Sequence, residues 1–162
     1  MALAIIADTH MPRGSRRLPA ACVERLRGAE VIVHAGDFIA LEALEEFEAL
    51  GTPLVAVHGN VDADELVDRL PETVELEHQG VVLGMVHDAG PRRGRLERMR
   101  RRFPDADAVV FGHSHMPLHE RDGGFQIFNP GSPTERRRAP ARSMGVAHIS
   151  DGRITFEHVL FD

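Results

Sequence analysis

The sequence contains no lysine, tryptophan or tyrosine, and it has a single cysteine, Cys22. One cysteine cannot form an intramolecular disulfide, so we expect a reducing compartment, the cytoplasm. No apolar run reaches the roughly 18 residues of a membrane span. The apolar residues 1–7 are too few for a signal peptide and have no basic start, so we expect no membrane partner. A formal net charge of −6 argues against a general nucleic-acid-binding protein.

The length of 162 residues is typical of one domain with a sizeable core, and we predict a single domain over residues 1–162. Apolar runs alternate with amphipathic stretches in the first half, and strands dominate the second. This order predicts a mixed α/β protein, with two sheets or one large mixed sheet and helices outside. Helices are predicted over 19–27, 41–50, 62–70 and 91–103. Strands are predicted over 3–7, 31–33, 54–57, 73–77, 81–86, 108–111, 125–128, 143–149 and 153–159.

Side chains that can bind metals follow five of the predicted strands. They are Asp8 and His10 in "ADTH", Asp37 in "HAGD", Asn60 in "HGN", His87 in "MVHD", and His113 and His115 in "GHSH". Ligands of α/β proteins collect at the carboxyl ends of strands. Because side chains at i and i+2 of an extended segment share a side, we expect each closely spaced pair to point the same way.

This ligand set predicts a site for two cations. Taken singly, Asp8 could be a helix cap and Asn60 a turn residue, but the recurrence at five strand ends favours a shared site. Three oxygen-donor residues and four imidazoles are too many for one ion and suit two divalent metals roughly 3.5–4 Å apart. Mixed nitrogen and oxygen donors without thiolate favour Mn²⁺, with Fe²⁺, Zn²⁺, Co²⁺ and Ni²⁺ as alternatives.

The motif order D-x-H, G-D, G-N, H and G-H-x-H resembles the calcineurin-like metallophosphoesterases. More closely, it resembles the small single-domain phosphodiesterases of the YfcE and MJ0936 type. The resemblance runs from Asp8 to "NPGS" at residues 129–132. It implies a metallophosphatase-like four-layer αββα sandwich. It also implies a hydrolase that cleaves small phosphoesters by attack of a metal-bridging hydroxide, without an assigned catalytic side chain.

Carried over by position, the resemblance implies a role for each ligand residue. One metal would be held by Asp8, His10, Asp37 and His115. The second would be held by Asp37, Asn60, His87 and His113. Asp37 would bridge the two ions, and Asn60 would also contact the substrate's phosphate.

Val61 departs from the pattern of the larger relatives. They carry a histidine there that protonates the leaving group, and valine cannot transfer a proton. The small subgroup usually has cysteine at this position. The general acid is therefore unassigned, and we expect leaving groups that tolerate negative charge.

Other polar residues have less specific interpretations. His34 is interpreted as structural, and His58 either contacts phosphate or packs. Asp88 either orients His87 or is a loop residue. The arginine cluster from Arg92 to Arg102 is either a solvated helix face or a surface for a phosphate-rich partner. An arginine of the loop 134–142 could neutralise the substrate's phosphate.

Two rival functions remain open. One is a non-catalytic protein-interaction scaffold like the retromer subunit Vps29, which resembles the same family. The presence of a ligand-competent side chain at all seven positions argues against it. The other is a phosphomonoesterase or nuclease using the same site. The natural substrate, the native metal and the oligomeric state, a homo-oligomer included, stay open.

Overall fold

The computed structural model describes residues 2–11 and 16–161, which form ten strands and four helices. The helices are α1 (Ala20–Gly28), α2 (Leu41–Glu48), α3 (Asp64–Arg69) and α4 (Arg95–Arg102). The first five strands are β1 (Ala2–Ile6), β2 (Val31–His34), β3 (Leu54–Ala56), β4 (Thr73–His78) and β5 (Val81–Val86). The others are β6 (Ala108–Val110), β7 (Leu118–Asp122), β8 (Phe125–Asn129), β9 (Arg142–Ser150) and β10 (Arg153–Phe161). The predicted mixed α/β fold is confirmed.

The strands form two five-stranded sheets, with the orders β10-β9-β1-β2-β3 and β4-β5-β6-β8-β7. In the first sheet β1, β2 and β3 run parallel. In the second, β5, β6 and β8 run parallel. The carboxyl ends of parallel strands meet at one edge of a sheet, so the loops that follow them can share a site.

Alternation along the strands divides the core into layers. Leu3 and Ile5 of β1 pack against residues of the second sheet, whereas Ala4 and Ile6 pack beneath α1, α2 and α3. A third apolar cluster joins α4 to the outer face of the second sheet. The result is the expected four-layer αββα sandwich. Each fully buried side chain of the size of isoleucine stabilises it by about 1.5–3 kcal/mol.

The segment before α4 differs from the prediction. The helix begins at Arg95, not at residue 91, because Gly94 has a left-handed backbone with φ of 73°. Side chains of Arg95 and Arg98 donate hydrogen bonds to the carbonyls of Gly90 and Ala89. Two arginines of the cluster therefore brace the loop that follows β5.

Strand β7 was missed because its sequence, LHERD, carries the charge that is typical of an edge strand and has no apolar run. It lies at the edge of the second sheet, paired with β8. None of the four helices within 2–11 and 16–161 has the length and apolar character that crossing a bilayer would need.

Candidate metal centre

All seven predicted ligand residues lie in loops immediately after strands, and the structure brings them to one place. The alternation argument for the close pairs is wrong, because β1 ends at Ile6 and β6 ends at Val110. Five of the seven have a left-handed backbone, with φ between 47° and 75°; they are Asp8, His10, Asp37, His113 and His115. Aspartate and histidine adopt this conformation more readily than most residues. Such strain clusters at functional sites.

Asp37 lies at the centre of the cluster. Its Oδ2 is 3.3 Å from Nε2 of His10 and 3.1 Å from Nε2 of His87. Its other oxygen, Oδ1, accepts a hydrogen bond from the backbone N–H of Val61. One carboxylate oxygen thus faces ligand atoms on both sides, as a bridging ligand would.

Two groups of side chains flank Asp37. On one side, ligand atoms of Asp8, His10 and His115 lie within 4.8 Å of one another. On the other side, Oδ1 of Asn60 is 3.0 Å from Nε2 of His87 and 3.1 Å from Nδ1 of His113. Asp8 also forms a second group with Asp37 and His87, so the ligand atoms form one continuous cluster, and their division between two ions stays a prediction.

Buried atoms without partners indicate that the site suits a cation. Oδ2 of Asp8 and Nε2 of His115 are buried and have no hydrogen-bond partner within the described residues. Leaving a buried polar atom unsatisfied costs about 1–3 kcal/mol. Carboxylate and imidazole donors suit Mn²⁺, Fe²⁺ or Zn²⁺, so a divalent ion would satisfy both atoms.

The electrostatics of the cluster are strongly perturbed. Burial, together with the charge of Asp37, raises the pKa of Asp8 to about 7. Burial also opposes ionisation of Asp37, but hydrogen bonds from His10 and His87 hold its pKa well below the usual value. Burial would lower the pKa of His87, yet Asp37 and Asp8 raise it to about 9. A divalent cation would replace protons in such a cluster, because the ligands bind it in their deprotonated forms.

A backbone carbonyl orients the ring of His87. Its Nδ1 donates a hydrogen bond of 2.7 Å to the carbonyl oxygen of Ala35, which directs Nε2 towards Asp37 and Asn60. Asp88 instead accepts a hydrogen bond from the backbone N–H of Gly90. Of the two interpretations of Asp88, the structure supports the loop residue.

Asp62 organises two ligand loops, although sequence reasoning placed it in a helix. Its Oδ2 accepts hydrogen bonds from the backbone N–H groups of Asp37 and Gly59, and its Oδ1 accepts one from Ile39. Helix α3 consequently begins two residues later, at Asp64. In the sequence, only the motif G-N-x-D at residues 59–62 pointed to a role of Asp62 in the site.

Residues of the "NPGS" segment also hold ligand loops. Nδ2 of Asn129 donates hydrogen bonds to the carbonyl of Gly112 and to Oγ of Ser114. Oγ of Ser132 donates to the carbonyl of Asp8 across 124 residues of sequence. The sequence indicated that this motif belongs to the site but not what it contacts.

His34 supports the turn that carries Asp37, as its structural interpretation requires. Its Nδ1 accepts a hydrogen bond from the backbone N–H of Gly36, so its Nε2 donates to Oγ1 of Thr9. The ring stacks on Phe38 at 3.6 Å. Burial, with the nearby charge of His87, lowers the pKa of His34 to about 3.

This buried histidine predicts an acid-sensitive fold. Between the ordinary pKa of about 6.5 and the folded value of about 3, the unfolded chain binds a proton that the folded chain rejects. The free energy of unfolding should therefore fall as the pH drops through that window, with His34 contributing at most about 1.4 kcal/mol per pH unit. His34→Gln should make the free energy of unfolding less dependent on pH, by up to the equivalent of one proton, which is about 1.4 kcal/mol per pH unit. Urea unfolding at several pH values in EDTA measures it.

His148→Gln is the matched control, because His148 is exposed on β9. That variant should keep the wild-type slope. An equal slope in His34→Gln and wild type would contradict the assignment.

The chain matches the family model of the calcineurin-like phosphoesterase superfamily domain over residues 1–152. It is 32% identical over 139 residues to a probable metallophosphoesterase of Methanothermobacter thermautotrophicus, covering 85% of this chain and 80% of the relative. It is 25% identical over 144 residues to phosphodiesterase MJ0936 of Methanocaldococcus jannaschii, covering 81% and 83%.

A solved structure shares the whole fold. The crystal structure of wild-type Vps29 from Entamoeba histolytica, complexed with Zn²⁺, superposes with a TM-score of 0.77. The match covers 100% of both chains at 23% identity. At this identity the likeness concerns the fold alone.

Proposed function

Because this chain belongs to the calcineurin-like phosphoesterase superfamily, we propose that it is a phosphodiesterase that hydrolyses small phosphoesters with two divalent metal ions. The observation that carries the proposal is the position of Asp37 Oδ2, which lies within 3.3 Å of imidazole nitrogens from both ligand groups. One ion would be held by Asp8, His10, Asp37 and His115. The other would be held by Asp37, Asn60, His87 and His113.

The two ions would supply a nucleophile from water near neutral pH and would neutralise charge on the phosphoryl oxygens. Among the protein groups, Asn60 is the candidate for positioning the ester. Its Oδ1 faces His87 and His113. Its Nδ2 has no hydrogen-bond partner among residues 2–11 and 16–161, so it can donate a hydrogen bond to a phosphoryl oxygen. The residue is exposed, so a substrate can reach it.

The surroundings of Asn60 favour a small substrate. A cavity of about 180 Å³ opens beside Asn60 and His87, and its walls include His58, Glu72 and Asp88. This is smaller than the roughly 300 Å³ at which drug-sized ligand pockets begin. A small phosphodiester is therefore favoured over a polynucleotide.

Val61 restricts the leaving group. Its side chain is 38% exposed beside the ligand cluster and cannot transfer a proton. Substrates whose leaving group tolerates negative charge should react faster than those that expel an alkoxide.

Arg137 is the best candidate for the arginine that binds the phosphate from the loop 134–142. Burial and the positive charge of Arg137 lower the pKa of His115 to about 4. The side chain of Arg137 is 48% exposed, and its Nε lies 3.5 Å from Oε2 of Glu135. We expect Arg137→Ala to raise KM about tenfold with unchanged metal content, since a charge-assisted hydrogen bond contributes about 1.5–3 kcal/mol. Steady-state kinetics on a nitrophenyl diester, beside metal analysis, measures both. An unchanged KM would remove Arg137 from the site.

A phosphoester panel on metal-stripped protein tests the proposal. We expect turnover of bis-p-nitrophenyl phosphate when Mn²⁺ is restored, and slower turnover of monoesters and single-stranded DNA. Comparing 2′,3′-cyclic with 3′,5′-cyclic nucleotides would narrow the substrate class. Faster hydrolysis of monoesters would favour a phosphomonoesterase over a diesterase, and faster hydrolysis of DNA would favour a nuclease.

An interaction scaffold is the second candidate, because the fold that this chain shares with Vps29 does not by itself imply catalysis. It predicts no turnover with Mn²⁺, Fe²⁺, Zn²⁺, Co²⁺ or Ni²⁺. That result would overturn the phosphodiesterase proposal.

A further inference from the structure

A second cavity lies in the helical layer on the first sheet, between α1, α2 and the segment 16–18. Its volume is about 300 Å³, which reaches the lower end of the range for small-molecule pockets, about 300–1,000 Å³. None of the seven proposed metal ligands is among the described residues that line it. The reaction proposed above therefore does not account for this cavity.

One part of the cavity wall is apolar. Met11 and Phe47 are buried there, and Leu18, Val23 and Leu50 are half-buried. Each methylene group that a ligand buries against such a wall strengthens binding about three- to fourfold. The wall therefore suits a short apolar chain.

The charged part of the wall is mainly basic. Arg16, Arg17 and Arg27 line the cavity, and Glu46 does so with an exposed side chain. The side chains of Arg17 and Arg27 form no hydrogen bond or ion pair with residues 2–11 and 16–161. The cations outnumber the carboxylate, so an anionic group is favoured over a neutral or cationic one.

Arg16 has one donor in use and one that is unused. Its Nη2 donates a hydrogen bond of 2.6 Å to Oε1 of Glu135. Its Nη1 is buried and has no hydrogen-bond partner in the described part of the chain. A buried donor without an acceptor destabilises a protein. An oxygen atom of an anionic ligand would supply that acceptor.

We propose that this cavity binds a small organic anion, a short apolar chain that ends in a carboxylate or a phosphate group. The chain packs against the apolar wall, and the anionic group contacts Arg17 and Arg27, with Arg16 as a third donor. The planar guanidinium offers paired N–H groups to either anion. The site needs no bound metal, so it does not rest on the proposed function.

Nuclear magnetic resonance titrations of ¹⁵N-labelled protein are the first test. Hexanoate is added before and after treatment with EDTA, and hexyl phosphate only after it, because a phosphoesterase would hydrolyse this ester. We expect saturable amide shifts in residues 16–18, α1 and α2, with the same hexanoate dissociation constant in both states. The anion that binds more tightly identifies the ligand class as carboxylates or phosphate monoesters.

Two results of these titrations would overturn the proposal. One is the absence of saturable shifts with either anion. The other is a set of shifts centred on the Asp37 and Asn60 loops, or shifts with hexanoate that disappear in EDTA, since either would place the anion at the metal centre.

Shorter and uncharged probes test the chain and the charge separately. Butyrate has two methylene groups fewer than hexanoate and should bind about tenfold more weakly. Hexanol has no charge and should also bind at least about tenfold more weakly. Equal affinities of butyrate and hexanoate would contradict the apolar wall, because an arginine patch on an open surface does not distinguish chain lengths.

Variants on α1 test the assigned residues. Arg27→Ala should weaken hexanoate binding about tenfold, because a hydrogen bond to a charged group is lost. Val23→Phe should weaken it by filling the space of the chain, with the arginines unchanged. Arg25→Ala is the matched control, since Arg25 is exposed on the same helix and is not among the described residues that line the cavity. Urea unfolding checks that each variant folds, and equal affinities in Arg27→Ala and Arg25→Ala would overturn the proposal.

Discussion

Asp37→Ala is expected to lose both divalent ions and at least about a thousandfold in phosphodiesterase activity. The metals would supply several kcal/mol of transition-state stabilisation, and each 1.36 kcal/mol is a factor of ten in rate. Oδ2 of Asp37 faces ligand nitrogens of both groups, at 3.3 Å from His10 and 3.1 Å from His87. These distances are shorter than the 3.8 Å that separate Oδ1 of Asp8 from Nε2 of His87 and of His115. Removing Asp37 also leaves imidazoles facing one another without the anion between them.

Metal analysis of the purified variant measures the loss directly, beside the rate on bis-p-nitrophenyl phosphate. His87→Ala provides a graded comparison, because His87 belongs to one group; it should weaken mainly one ion. Asp105→Ala removes an exposed carboxylate on the loop before β6 and should behave as wild type. Two ions per chain in Asp37→Ala would refute the bridging assignment.

Gly59→Ala is expected to disrupt the centre although it removes no ligand. A Cβ at this position would lie 2.6 Å from the backbone nitrogen of Asp37 and 2.7 Å from its Cγ. Contacts under 3.0 Å to backbone cannot be relieved by a side-chain rotation, so the Asp37 loop or the Asn60 loop must move. Overpacking of this kind typically costs about 1–3 kcal/mol of stability, and displacement of Asp37 should weaken both ions.

Urea unfolding and Mn²⁺ titration of Gly59→Ala measure the two effects separately. The matched control is Gly28→Ala at the end of α1, where an added Cβ meets nothing within 4 Å. That variant should bind metal normally and should be no less stable than wild type, since alanine is the better helix former. Normal Mn²⁺ affinity in Gly59→Ala would show that the two loops are not packed as tightly as the structure has them.

The two predictions differ in what the sequence alone could support. The bridging role of Asp37 follows from a resemblance to known metallophosphoesterases, and the distances now give it a geometric basis. The steric role of Gly59 could not be derived from its motif, because it depends on a side chain 22 positions away. Sequence reasoning found the glycine, but the contact required coordinates.

Periodicity was sufficient for most of the architecture. Continuous apolar runs located β1, β2 and β5, because these strands are buried on both faces, and alternation of apolar and polar residues is typical of β4. It failed at β7, whose residues LHERD are polar because the strand lies at a sheet edge. It also failed at the start of α4, where Gly94 adopts a left-handed backbone that composition does not reveal.

The proposed ligand residues were predicted from local motifs, since metal binding restricts residue type to a few donors. Their arrangement was not found, because left-handed turns at Asp8, His10, Asp37, His113 and His115 replace the extended geometry that was assumed. Asp62 and Glu135 escaped notice for the same reason. Both lie near backbone or rings that are distant in sequence, as Asp62 does with Asp37 and Glu135 with His10. Residue type determines which groups a side chain can bind, whereas the long-range packing of the loops determines which groups it contacts.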